Sequence, residues 1–123
     1  MLSKDKYYEA FGDLLYAMAL ADGGIQEVEE ITMRERLQHY PESQKIIDRF
    51  FRNKEENNTV AFSYMKAIEV CKVHGPDPEY AFLLELLVAV ARAYMGIVPE
   101  ERKILDTFIR DLKNAFKADE QSC

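Results

Sequence analysis

The chain has 123 residues, 48% of them apolar and 31% charged. That is the length of one domain with enough apolar surface for a core, which argues against two independent domains or extended disorder. Twenty-two acidic residues against 16 basic ones give a formal charge of −6. This is the wrong sign for a surface that must meet a phosphate backbone, so nucleic acid is excluded as the expected partner. The acidity suits a metal cation, a basic partner or plain solubility.

With only five Gly and four Pro, and long segments rich in Ala, Leu, Glu, Lys and Met, the chain is expected to be helical nearly throughout. Ser3 can cap a first helix, in which Tyr7, Phe11, Leu14, Leu15, Met18 and Ala19 recur at spacings of three and four. The pattern stops at Asp22-Gly23-Gly24, where two glycines can supply the positive φ that ends a helix. Ile25 anchors that turn, and Glu27 to Glu30 load a second N-terminus with acid. The second helix is expected to turn Val28, Ile31 and Leu37 inward and to end near Tyr40.

Pro41 suits the first turn of a third helix, with Ile46, Ile47, Phe50 and Phe51 on one side, and the polar run Arg52 to Asn58 reads as a mobile loop. Asn57 or Asn58 can cap a fourth helix through Ala61, Tyr64, Met65, Ile68 and Cys71, closed by Gly75. Asp77-Pro78 opens a fifth, whose apolar residues from Phe82 to Val90 point in almost every direction, so that it is expected to be enclosed on most sides. Gly96 stops it and Pro99 starts a sixth, with Leu105, Phe108, Ile109, Leu112 and Phe116 in one stripe before a tail, 117–123, that is expected to fray.

Shifted by 72 residues without a gap, the chain aligns with itself. Tyr8, Leu14, Leu15, Ala17, Ala19, Ala21, Gly24, Ile25 and Glu29 fall on identical residues from Tyr80 to Glu101. Nine identities between Tyr8 and Tyr40 compare with roughly two expected from composition, and internal duplication is the simplest cause. The expected fold is therefore an all-α, compact six-helix bundle over 1–123. It is built from two diverged helical-hairpin repeats, one at about 5–40 and the other at about 77–112.

The segment Leu14 to Glu29, with its Ala-Asp-Gly-x-Ile-x-x-x-Glu core, resembles the tellurite-resistance TerB family and the related amino-terminal domain of DjlA-type co-chaperones. Ala93 to Leu105 is similar to a weaker copy of the same motif. The resemblance implies a helical bundle, a place in a stress response, and acidic motif residues that hold a divalent cation such as calcium or magnesium. Those residues fall here on Asp22 and Glu29, with Glu101 as the second-half counterpart, around turns made by Gly23, Gly24 and Gly96. Tyr94 stands where the second Asp of the pattern would be.

The residues themselves leave two readings of those acids. Asp22, Gly23, Ile25 and Glu29 match four positions of a calcium-binding EF-hand loop, but Met18 and Leu20 occupy its first two ligand positions and offer no side-chain oxygen, which excludes a complete loop. A partial site of Asp22, Glu29 and Glu101 is one reading. In the other, Asp22 bonds the turn, while Glu29 favours the helix dipole and reaches back to free N–H groups.

Nothing else in the chain forms a recognisable catalytic pattern, so the expectation is a protein-binding or scaffold module, with a cation sensor or buffer as the alternative and no enzymatic role. His39 and His74 lie near helix ends and make no zinc spacing, Ser63 and Cys71 sit in no nucleophile motif, and Gly23-Gly24 lacks the context of a phosphate loop. Phe50, Phe51, Phe62 and Tyr64 are aromatic enough to line a groove, although core packing is the commoner use. The start, Met1 to Lys6, has no apolar run behind its charges, which makes the cytoplasm the default location. The longest apolar stretch, Ala81 to Ala93, is broken by Glu85 and Arg92 and falls short of the roughly 20 residues of a membrane span.

Overall fold

Glycine, proline and short polar caps divide the chain into six α-helices. A computed structural model describes residues 4–21, 23–94 and 96–121. In it α1 spans Lys4–Leu20, α2 Glu27–Leu37, α3 Ser43–Glu56, α4 Val60–His74, α5 Glu79–Arg92 and α6 Pro99–Gln121. The described residues form an all-α bundle, and no helix among them is long and apolar enough to cross a membrane. Ser3 as a cap, and the tail side chains from Phe116 onward, lie outside the description.

The helix enclosed on most sides is α1, and the expectation that this would be α5 is corrected. Every residue of α1 from Ala10 to Ala19 is buried, together with Tyr7 and Tyr8. Phe11, Leu14, Leu15 and Met18 are each completely covered, a contribution of about 1.5–3 kcal/mol apiece from area alone. The α3–α4 pair makes the most extensive contacts with α1, α5 and α6 also pack on it, and α2 lies on α5. Gly12 is what lets α3 come so close: a Cβ there would overlap the Ile46 carbonyl and stand 2.7 Å from Arg49 Cβ. By contrast α5 buries only Tyr80, Leu83, Leu86, Leu87, Val90 and Ala91. Its Leu84, Val88 and Ala89 are half-buried, and Glu85 and Arg92 are exposed.

Three further expectations shift. In α2 the inward residues are Glu29, Met33 and Leu37, while Val28 and Ile31 are exposed. The helix is rotated because its buried stripe starts at an acid, which an apolar count passes over. In α4 the inward stripe is Ser63, Ala67, Ile68 and Cys71, leaving Ala61 and Met65 exposed. The polar run expected as a loop is instead the last turns of α3. Asn53 is buried and donates to Asp13 Oδ1 at 2.8 Å, Lys54 pairs with Glu30 at 2.6 Å, and Asn57 closes the helix in the left-handed conformation with φ 54°. Thr59, not Asn57 or Asn58, caps α4 by accepting the Phe62 amide at 3.1 Å.

Candidate functional site

The two acidic turns are built alike. After α1, Gly23 takes φ 106° and its amide donates to the Leu20 carbonyl at 2.9 Å. After α5 the positive φ, 82°, falls on Gly96, so one glycine of the first turn, not both, carries the left-handed conformation. Ile25 and Ile97 then pack against the core edge.

Each turn leads into a helix whose third residue is a buried glutamate. Glu29 Oε1 accepts the Gln26 amide at 2.9 Å, and Glu101 Oε1 accepts the Val98 amide at 3.1 Å. Both side chains are 1% exposed. This is the reciprocal half of a capping box: a carboxylate bent back on its own first turn satisfies an N–H group that the helix leaves open, and its charge favours the positive end of the dipole. Asp22, the third candidate ligand, lies outside the described residues. Among the described residues no three His, Cys, Asp or Glu side chains gather into a group that could hold a metal ion.

The end of α1 adjoins the start of α6. Ala21 and Glu100 line one groove of about 470 Å³, which continues over Val60, Tyr64 and Ile104. The Tyr64 hydroxyl donates to Asp111 Oδ2 at 2.7 Å, so this ring lies along a groove as anticipated. Phe62 is 52% exposed.

A polar cluster at the opposite end of α1 has no forewarning in any motif. Glu79, the first residue of α5, receives Lys4 Nζ at 2.9 Å, the Tyr8 hydroxyl at 3.0 Å and the Tyr40 hydroxyl. The starts of α1 and α5 and the segment after α2 are thereby tied to one carboxylate. Burial pushes the Glu79 carboxyl upward, but these donors outweigh it and hold its pKa below the ordinary 4.5. Beside it, Asp77 caps α5 through the Glu79 amide at 2.9 Å and receives His74 Nε2 at 2.9 Å. Burial again acts upward, and the His74 and backbone hydrogen bonds win, so its pKa lies below 3.8. His74 stacks on Tyr7 at 3.8 Å between ring centroids, a helix-end role of the kind expected for it.

A second network centres on Asp13, which is 3% exposed. Arg49 Nε and Asn53 Nδ2 each donate to Oδ1 at 2.8 Å, with Lys66 Nζ at 3.5 Å. Cys71 is buried, and desolvation pushes its thiol up to about 12, which leaves it unreactive at neutral pH. Compared with family models, curated proteins and solved structures, the chain matches none of them.

Proposed function

We propose that the chain is a non-catalytic binding or scaffold module of the TerB-like type, formed by duplication of a helical hairpin and working through a protein partner. The observation that supports this most is the engagement of Glu29 and Glu101: each carboxylate bonds the first turn of its own helix. The motif that carries the resemblance then acts as a folding device, and the outer surface is left to carry recognition. Duplication is supported by the identical third position of the two glutamates, 72 residues apart, and by the reciprocal packing of α2 on α5 and α6 on α1. A place in a stress response rests on the resemblance alone.

One observation favours the cation reading: Ala21, next to Asp22, shares a groove with Glu100, so the first turn adjoins the start of α6. A cation held there would draw on Asp22, Glu29 and Glu101, with calcium or magnesium as the ions suited to oxygen donors.

Thermal unfolding with and without millimolar calcium or magnesium separates the two. Under the scaffold reading the midpoint of the wild type does not move. Glu29→Gln, which keeps an acceptor oxygen for the Gln26 amide, then costs about 1 kcal/mol or less. An increase of several degrees on adding the ion, abolished by Glu29→Gln, would replace the scaffold by the sensor, because an ion that binds only the native state must stabilise it.

A further inference from the structure

The face of α5 turned away from α1 has a symmetry of its own. Six of its residues, Leu84, Glu85, Val88, Ala89, Arg92 and Ala93, line a groove of about 700 Å³ against α2. Reversed about a point between Val88 and Ala89, this set maps onto itself as Leu84 with Ala93, Glu85 with Arg92, and Val88 with Ala89. Every large apolar residue then meets a small one, and each charge meets its opposite. That is the pattern a helix needs to pack antiparallel on a copy of itself about a twofold axis, where an isologous contact pairs residue i with j and j with i.

The charges in this groove have no use within the chain. Glu85 and Arg92 are exposed, and Glu35 and Arg36 of α2 complete the walls. Among the described residues none of these four takes part in an ion pair, although eleven ion pairs occur elsewhere. Two acids and two bases without internal partners, beside half-buried Leu84 and Val88, make a surface that is neutral as a whole and complementary to itself. A strongly acidic or basic partner gains nothing from such a balance, whereas a second copy matches it. Val28 and Ile31, 38% and 46% exposed on the outer side of α2, add apolar area beside the groove.

We infer that the chain forms a twofold homodimer through α5, packed antiparallel to its copy, with Glu85 of each protomer facing Arg92 of the other and Val88 against Ala89 at the axis. The inference goes beyond the scaffold reading and depends on neither the cation nor the family resemblance. An interface of one helix and its flank belongs with the smaller, reversible ones.

Sedimentation equilibrium from about 1 µM to about 500 µM tests it, a span that covers weak to moderate association. The wild type should pass from the 14.3 kDa monomer toward twice that mass. Glu85→Arg and Arg92→Glu should each stay monomeric, because each sets like charges against one another twice. The double variant Glu85→Arg/Arg92→Glu should dimerise as the wild type does. Both positions are exposed, and circular dichroism of each variant confirms that the fold survives. A wild type that remains monomeric throughout overturns the inference. Single variants that dimerise normally, or a double variant that does not recover, overturn the proposed pairing.

Discussion

Position for position, α1 and α5 carry related sequences at an offset of 72 residues, yet the chain covers one and leaves the other half open. Gly12 of α1 corresponds to Leu84, Asp13 to Glu85 and Ala17 to Ala89. On α1 the glycine admits the α3 backbone, and the acid is buried under Arg49, Asn53 and Lys66. On α5 the counterpart of that glycine is a half-buried leucine and the counterpart of that acid is exposed. The number of apolar residues does not separate the two helices. What separates them is a missing Cβ at the right place and a set of cations on α3 and α4 ready for one particular carboxylate.

The sharpest way to break this comparison is to close the gap at Gly12. In Gly12→Ala the new Cβ would run into the Ile46 carbonyl and Arg49 Cβ, and because the first is backbone the helices must separate. Urea unfolding should show a loss of about 2–4 kcal/mol. Leu84→Ala, measured dilute, should cost about 1 kcal/mol, since its side chain is only half covered.

The paired acids give the next largest contrast. Asp13→Ala removes the acceptor from a buried network and leaves Arg49 and Asn53 unmatched, which should cost about 3 kcal/mol. Glu85→Ala should fall within about 0.5 kcal/mol of the wild type. Equal losses at the two sites would mean that α5 is covered as α1 is.

The smallest expected effect sharpens the comparison at the end where the two helices begin together. Glu79 and Asp77 have folded pKa values below 4.5 and 3.8, so the unfolded chain binds their protons first. Their contribution is complete above about pH 5 and is lost as the pH falls through the folded values. Glu79→Gln should cost about 1–2 kcal/mol at pH 7, and the difference from wild type should shrink as the pH drops below 4. A difference independent of pH would show that the tie between α1 and α5 does not rely on charge.

Much of this architecture was legible because glycine and proline mark where helices end. Gly23, Gly75, Gly96 and Pro99 stand at boundaries of α1, α4, α5 and α6. The faces of α2 and α4 were harder to read, because each buries a polar residue, Glu29 or Ser63, and exposes an apolar one, Ile31 or Met65. The last turns of α3 read as loop because Arg52 to Glu56 carry no apolar residue; what holds them is Asn53 against Asp13 and the Lys54–Glu30 pair, both distant in sequence. At the candidate site, the capping use of Glu29 follows from its place three residues after Gln26, and that reading was open from the spacing alone. The Glu79 cluster was not, since its donors come from Lys4, Tyr8 and Tyr40, and only the folded chain gathers them.

The unequal enclosure of α1 and α5 is tested most directly at Ala17 and Ala89, the same residue at corresponding positions. Ala17→Cys and Ala89→Cys, each in a Cys123→Ser background with the buried Cys71 retained, would be exposed to an excess of a thiol reagent at about 1 µM protein, dilute enough to keep a reversible dimer apart. Ala17 is fully buried, and Ala89 lines the open groove. The thiol at position 89 should therefore be modified at least about 100-fold faster, with position 17 reacting only as fast as the fold opens. Equal rates at the two positions would contradict the account.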